Sequence, residues 1–397
     1  MSLRVAGKKI FGLWQAALLC AASVAARPAH AEAPQVAQPP AAKPVDTPTP
    51  WGRTGAPGVD PTSLRWHDTY MYWDHAVSTT TLGVGRDYQS NNPVYEMTIG
   101  LRPRYYFLES QRTSISARGD LGVVTERTNS DTTTREGEWS LADTELWGAF
   151  SYKLRESRGD LTELAIRVPR LTFPTSKVSY DSGKLLGVGA RIGVREDIVL
   201  QGRDSAFLPN IELIAKAEYG YLFSNSRVPT SGALERIRLD ADGRSIVSDQ
   251  LSGASLAQHS AAFGVASLVH VQRNLLWTTS LDLRPAWKYP VDHDVQICGV
   301  VLTGCTQASG VADPQTRSAL TYFQTEFWLT MTDVLGLTAG YANLSAQLGP
   351  DGRRRNALYS PDARFYLTLS VGLDQLYSGL THNDRQSASL AGEPQRH

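Results

Sequence analysis

The sequence predicts an all-β protein: a closed, antiparallel, up-and-down transmembrane β-barrel of twelve strands. Three observations predict this fold. Long runs in which apolar and polar residues alternate recur along most of the chain. Long polar connections alternate with tight turns between those runs. The chain also opens with an export segment, and no later stretch reaches the roughly eighteen consecutive apolar residues of a membrane helix.

The first residues determine the compartment. Three basic residues precede an apolar run over residues 10–26, and Ala29 and Ala31 offer the small side chains of a cleavage site. We therefore expect residues 1–31 to be a signal peptide. Its removal leaves 35 basic and 39 acidic residues, so the formal net charge is −4. This charge does not indicate a nucleic-acid-binding protein, which would be basic.

The mature chain is predicted to begin with a segment that does not pack. Residues 32–61 are rich in proline and alanine, which favours an extended periplasmic linker, with a plug or a tether to a periplasmic partner as the alternative. Residues 62–75 are expected to be either an entry into the first strand or a short periplasmic cap. The barrel itself is expected over residues 76–377, and a polar tail over residues 378–397.

Twelve runs are long enough to cross a bilayer at a tilt, since each has about eleven to sixteen residues against the usual five or six of soluble strands. They lie near residues 76–87, 93–107, 113–126, 139–153, 161–173, 185–195, 210–224, 258–272, 275–289, 317–331, 335–348 and 362–377. In the last run Phe365 and Leu367 share one face, while Arg364 and Tyr366 share the other.

The lengths of the connections favour a membrane barrel over a large secreted β-protein, which is the alternative architecture. Long connections follow the odd-numbered runs, except at 88–92, and tight turns follow the even-numbered runs, except at 196–209. An even count of strands with this parity predicts long outer loops, short periplasmic turns and both termini in the periplasm.

The end of the last run resembles the closing-strand signal of bacterial outer-membrane β-barrels. Ser370, Gly372 and Tyr377 fit its polar, glycine and aromatic positions, whereas Gln375 departs from the pattern and the chain continues to His397. The resemblance is to the class and covers about residues 76–377. It implies a bacterial outer membrane location and, as partners, outer-membrane lipids, lipopolysaccharide and the barrel-assembly machinery, with no cofactor.

The polar faces of the runs carry charges of both signs, and we expect them to line the lumen. The candidate pore-lining residues are Arg102, Arg104, Arg118, Asp120, Asp143, Glu145, Arg167, Arg191, Lys216, Glu218, Asp282, Arg284 and Glu326. Because acids and bases nearly balance, a pore between them should be narrow, passive and weakly selective for small polar solutes. The alternative is a filled structural or adhesive barrel without transport.

The loop between the ninth and tenth runs contains Cys298 and Cys305, the two cysteines of the mature chain. In an oxidising compartment these are expected to form a disulfide. A metal site that includes His293 is the alternative, although two cysteines without a clustered second pair of ligands favour it poorly.

A lipid-acting enzyme is the third functional class, with outer-membrane phospholipase as the precedent for a serine and a histidine on the lipid-facing surface. His259 and Ser260 are the candidates here, but adjacent strand residues point to opposite faces. No catalytic or metal residues are therefore assigned. The basic run 353–355 is predicted either to meet lipid phosphates or to form a solvated loop.

Overall fold

The fold is given by a computed structural model. It describes residues 64–79, 81–84, 94–128, 137–157, 160–199, 210–227, 237–239, 245–247, 255–272, 274–290, 296–298, 305–307, 316–347, 354–360 and 363–381. The predicted signal peptide and the predicted linker lie outside these residues.

Strands make up most of the described chain. They are β1 (Tyr70–Ser78), β2 (Tyr95–Arg102), β3 (Arg104–Glu109), β4 (Thr113–Glu126), β5 (Trp139–Leu141), β6 (Thr144–Ser157), β7 (Asp160–Phe173), β8 (Lys184–Val199), β9 (Asn210–Ser224), β10 (Ile237–Leu239), β11 (Ser245–Val247), β12 (Ala257–Gln272), β13 (Leu275–Lys288), β14 (Gln296–Cys298), β15 (Cys305–Gln307), β16 (Arg317–Thr330), β17 (Leu335–Ala346) and β18 (Arg364–Gly372). A short helix spans Lys177–Asp181, and a second helix follows β18 over residues 373–381.

These strands form a closed antiparallel barrel of twelve strands, as predicted. β2 and β3 are two halves of one barrel strand, interrupted at Pro103, which has no backbone N–H to donate. β5 and β6 form another barrel strand in two parts. The small hairpins β10–β11 and β14–β15 stand apart from the barrel.

The barrel closes where its first strand meets its last. β1 pairs with β18 over its whole length, from Tyr70 opposite Gly372 to Ser78 opposite Arg364, and its other edge pairs with β2. A closed barrel requires its first and last strands to pair, and the structure shows this pairing. Closure leaves no sheet edge exposed, which is what a bilayer requires of a spanning sheet.

The two ends of the barrel differ, and we name them by their connections. β1 begins and β18 ends at the same end, which also has the short connections 110–112, 158–159, 273–274 and 331–334; this is the turn end. The longer connection 200–209 also lies at this end, where an exception was predicted, and the opposite, loop end has the other long connections. The position of β1 corrects the prediction, because the strand starts at Tyr70 and not near Ala76. The connection to β2 therefore spans 79–94, and the predicted short exception at 88–92 disappears.

The last strand is also shorter than predicted, since β18 ends at Gly372 and the chain then turns into the helix 373–381. The reason is visible in the spacing: Leu373, Leu376, Tyr377 and Leu380 recur at helical intervals. The closing-strand motif is thus split between strand and helix. Within the helix, the Tyr377 ring meets the Trp66 ring edge-on, with centroids 5.5 Å apart.

The outer wall is apolar and exposed. Ile192 and Phe327 are 48% and 50% exposed, and several other outward side chains share this character: Ile99, Leu121, Phe263, Leu281 and Leu367. Polar side chains face inward and are largely buried. This inverted arrangement is the one expected of a barrel whose solvent is lipid. Among the described residues, no helix combines the length and the apolar character needed to cross a bilayer.

A loop covers part of the outer wall near the loop end. Alternation places Asn343 and Ser345 on the outside of β17, yet both are buried. The Asn343 amide donates to the carbonyl of Ala357 at 2.8 Å, and the Ser345 hydroxyl donates to that of Asn356 at 3.2 Å. The segment 354–360 therefore satisfies two polar groups that would otherwise face an apolar environment.

The segment before β1 is fastened to β3 at the turn end. Asp68, which has a positive φ of 61°, forms an ion pair with Arg104 and accepts a hydrogen bond from the Tyr106 hydroxyl at 2.8 Å. The His67 ring stacks on Tyr106 with centroids 3.9 Å apart, and its Nε2 lies 2.9 Å from Oε2 of Glu109.

This turn-end cluster shifts two pKa values. Burial of His67 works against its protonation, but the hydrogen bonds and charges of Asp68 and Glu109 outweigh burial and raise its pKa above the ordinary 6.5. Burial alone would raise the pKa of Asp68, yet its hydrogen bond with His67 and the charge of Arg104 hold it well below the usual range.

The raised pKa of His67 predicts a pH-dependent contribution to stability. The folded state binds the His67 proton more tightly than the unfolded state, so the contribution is complete below pH 6.5 and is lost as pH rises through the folded pKa. Asp68 stays ionised throughout this window. Relative to His67→Gln, the wild-type free energy of unfolding should fall as pH rises from the ordinary 6.5 through the raised pKa of His67, measured by urea titration in lipid vesicles. Glu109→Gln should weaken this pH dependence without removing it, and a difference between wild type and His67→Gln that does not vary with pH would refute the assignment.

Candidate functional site in the barrel lumen

The barrel encloses a cavity of about 810 Å³ to which every barrel strand contributes lining residues. The lining follows β1 from Tyr70 to Ser78 and β18 from Arg364 to Ser370. Nine residues of β1 correspond to roughly 26 Å along the strand. The cavity therefore extends through most of the height of the barrel.

Most of the predicted pore-lining residues lie along this cavity. They are Arg102, Asp120, Asp143, Glu145, Arg167, Arg191, Lys216, Glu218, Asp282, Arg284 and Glu326. The other two do not line it: Arg104 belongs to the turn-end cluster, and Arg118 is its register neighbour on β4. The reason is that residues 64–69 pack against Arg104 and Tyr106 there, as a cap on the turn end of the barrel.

Asp143 lies at the loop end, where it holds the short helix against the rim. Its Oδ1 accepts from the backbone N–H of Ser176 at 3.0 Å, and its Oδ2 accepts from the Ser179 hydroxyl at 2.7 Å. Lys184 donates to the same hydroxyl at 3.2 Å. Ser176 also caps the helix Lys177–Asp181, so this carboxylate positions a structural element at the mouth of the cavity.

A β-bulge in β7 brings a further arginine into the lumen. The pairing register shifts between Arg167 and Arg170, and both side chains line the cavity, whereas Val168 between them is 55% exposed on the outside. Strict alternation from Arg167 would point Arg170 outward, which is why sequence analysis missed it. Pro169 was the available signal, because proline within a barrel strand marks bulges.

Arg170 ties three strands of the wall together. Its Nη2 lies 3.0 Å from Oε2 of Glu145 on β6, and its Nη1 forms an ion pair with Glu218 on β9. The guanidinium thus runs along the wall and reaches past β8, rather than pointing to the centre of the lumen. Charge-assisted contacts with two carboxylates hold the guanidinium in a fixed direction.

A second ion pair crosses β12 above a glycine. Lys216 Nζ on β9 lies 2.8 Å from Oδ1 of Asp282 on β13, and Arg284 Nη2 contacts the other oxygen of Asp282 at 3.1 Å. Gly264 lies between them in register. A Cβ at this position would come within 1.9 Å of Asp282 Oδ1, so the pair forms because residue 264 has no side chain.

The wall formed by β16, β17 and β18 has a related arrangement. The Gln324 amide donates to the Tyr366 hydroxyl at 2.7 Å and to Oε2 of Glu326 at 2.9 Å, and Tyr366 also donates to Glu326. The Tyr366 ring lies flat over Gly340, where a Cβ would meet its Cζ at 2.3 Å. This network keeps a large aromatic side chain against the wall.

The lumen narrows toward the turn end because apolar side chains fill part of it. Leu268, Leu276 and Ala266 form a buried cluster, against which Ile214 and Trp328 pack. Trp328 also borders the cavity. Together with the turn-end cluster on β3, these side chains leave a tapered lumen.

The other sequence candidates do not form a chemical site in the described residues. Ser260 lines the cavity, whereas the His259 ring meets the hydroxyl of Tyr219 at 2.6 Å on the outer face, so the two point to opposite sides as expected. No group of three or more metal-ligating side chains occurs within the described ranges. The β14–β15 pairing places Cys298 opposite Cys305 along the backbone, but their side chains lie outside the described part, and the disulfide stays a prediction.

Arg353 lies outside the described residues. Arg354 and Arg355 are exposed at the start of the loop on the outer wall. Contact of this loop with lipid phosphates stays a prediction.

Comparisons with known proteins give matches at the level of structure. No protein-family model matches the chain, and no curated protein sequence matches it. An outer membrane channel from Pseudomonas putida F1 is 13% identical, with 78% of this chain and 95% of that chain covered and a TM-score of 0.44. The NanC porin is 7% identical, with 77% of this chain and 98% of that chain covered and a TM-score of 0.33. LpxR from Salmonella typhimurium is 8% identical, with 76% of this chain and 98% of that chain covered and a TM-score of 0.34. These low scores carry no argument about function.

The closed antiparallel wall, the apolar outer surface and the charged interior together define the class. The chain folds as a transmembrane β-barrel of the outer-membrane type, the class that the resemblance at its last strand implied. No particular family is defined beyond this class.

The close approach at Gly264 gives a test of the lumenal ion pair. Gly264→Ala should displace Lys216 from Asp282 and lower the free energy of unfolding by about 1–3 kcal/mol, the usual cost of overpacking. Urea titration in lipid vesicles measures this change. Gly122→Ala is the matched control, since its Cβ would meet its nearest neighbour, the Ile99 carbonyl, at an ordinary 3.4 Å. Equal effects of the two substitutions would show that the close approach does not matter.

Proposed function

We propose that this barrel is a narrow, passive channel for small polar solutes, with its turn end and both termini in the periplasm. The observation that carries the proposal is the cavity itself, which follows β1 from Tyr70 to Ser78 and is bordered by charged side chains from most strands. A hydrated, charged passage through an apolar wall is the arrangement that solute channels use.

The way the long side chains are held supports an open lumen over a filled one. Arg170 runs along the wall between Glu145 and Glu218, and Tyr366 lies flat over Gly340. Lys216 reaches Asp282 across Gly264 without entering the centre. Each of these long side chains would reach into the lumen if it were unpaired, and each is fixed against the wall by a partner.

The balance of charges supports weak ion selectivity. The cavity is bordered by nine acidic and eight basic side chains of the described residues. A strong anion or cation filter would instead show a ring of one sign. We therefore expect the channel to pass small ions of both signs and small neutral solutes.

The packing near the turn end supports a narrow channel. Leu268, Leu276 and Trp328 occupy part of the lumen there, and Arg102 spans from Asp120 at 3.2 Å to the Tyr70 hydroxyl at 2.7 Å. The same packing is the observation that favours the second candidate, a filled structural barrel. The two candidates differ in whether current passes.

Planar-bilayer recording of the purified mature protein tests the proposal. We expect stepwise currents of low conductance, with a reversal potential close to zero under a salt gradient. Trp328→Ala removes a side chain that borders the narrow end and should raise the step size. Trp277→Ala is the matched control, because Trp277 is 41% exposed on the outer wall and should leave the step size unchanged.

The folded state of each sample is checked separately by its heat-dependent mobility on a detergent gel. Protein that is folded by this criterion but gives no stepwise current would reject the channel and leave the filled structural barrel. A strong preference for one sign of ion would contradict the charge balance.

A further inference from the structure

The charges that border the cavity are unevenly distributed around it. The neighbouring strands β7, β8 and β9 form one wall with five basic and one acidic side chain: Arg167, Arg170, Lys184, Arg191, Lys216 and Glu218. We call these residues the basic wall. If every side chain has its formal charge, the basic wall carries an excess of four positive charges.

A second group of neighbouring strands carries the opposite excess. β18, β1, β2 and β4 contribute two basic and four acidic side chains: Arg364, Asp74, Glu96, Arg102, Asp120 and Glu126. This acidic wall carries an excess of two negative charges. The remaining charged lining residues, Asp143, Glu145, Asp282, Arg284 and Glu326, lie between the two walls.

The strand order sets the two walls against each other. β8 is the sixth barrel strand and β18 the twelfth, so they are six strands apart in either direction around the barrel. In the same way β9, the seventh, lies across from β1, the first. Arg191 on β8 and Lys216 on β9 therefore face the wall that holds Asp74 and Glu96.

Ion pairs within a wall do not remove this asymmetry. Arg364 pairs with Glu96 at 3.0 Å and Arg102 with Asp120 at 3.2 Å, both inside the acidic wall. A pair of this kind leaves the net charge of its wall unchanged. Two cations of the basic wall pair outside it, Arg170 with Glu145 and Lys216 with Asp282, and counting those two carboxylates still leaves the basic wall an excess of two positive charges. The excess of each sign therefore sets up an electric field across the lumen, perpendicular to the direction of passage.

We infer that the lumen binds small zwitterionic solutes, of the size of amino acids, in preference to neutral solutes of equal size. A solute with a carboxylate and an ammonium group interacts favourably with both walls when it lies across the lumen, with the carboxylate toward Arg191 and the ammonium toward Asp74. An ion with a single charge is attracted to one wall and repelled by the other. This inference rests on the proposed function, because it names the solute class of the same channel.

Swelling of liposomes that contain the full mature protein tests the inference with two isomers. β-Alanine is a zwitterion and lactamide is neutral, and both have the same atoms, so their sizes match. We expect β-alanine to enter several-fold faster than lactamide. Arg191→Gln and Asp74→Asn should each lower this ratio of rates toward one.

Arg355→Gln is the control variant, since Arg355 is exposed on the loop at the outer wall and lies outside the cavity; it should keep the wild-type ratio. The ratio is taken within each protein, so a variant that inserts less well still reports on preference. Equal entry of the two isomers into wild-type liposomes would overturn the inference and leave the channel intact. Entry of neither isomer would instead reject the proposed channel, and the inference with it.

Discussion

The backbone pairing of β1 with β18 is the constraint on which the rest of this structure depends. Inside a bilayer no water is available to an unpaired N–H or C=O group, so a sheet is stable there only if its first and last strands meet. The two strands meet along the whole of β1, from Tyr70 opposite Gly372 to Ser78 opposite Arg364. Once the wall is closed, alternation assigns every second side chain to lipid and the others to the lumen.

Closure also forces many charged side chains into one confined space, and the structure accommodates them along the wall. Glycines opposite long side chains are part of this solution: Gly264 makes room for the Lys216–Asp282 pair, and Gly340 for the Tyr366 ring. The charged groups find their partners along the wall, so they do not occupy the centre of the lumen. A closed barrel with an interior of this kind combines a stable wall with space for solutes.

The sequence predicted the wall well because period two is a local property that closure preserves. It failed where the geometry departs from that period. The bulge at Val168 and Pro169 reverses the faces of β7 and brings Arg170 into the lumen, and the helical spacing of Leu373, Leu376 and Leu380 ends the last strand early. Which charges pair could not be predicted either. Lys216 and Asp282, for example, are 66 residues apart in the sequence. They meet only because the register of three neighbouring strands brings them together.

The central claim is that lipid contacts the apolar face and the lumen contains the polar one, and adjacent residues on β2 test it most directly. Ile99 is 38% exposed on the outer wall, whereas Thr98 lines the cavity. A fluorophore is attached at Thr98→Cys or Ile99→Cys, in a chain whose Cys298 and Cys305 are replaced by serine, and the protein is reconstituted with brominated phospholipid. Strong quenching at position 99 and little at position 98 is the predicted result. Equal quenching, or stronger quenching at position 98, would contradict the inside-out assignment of the barrel.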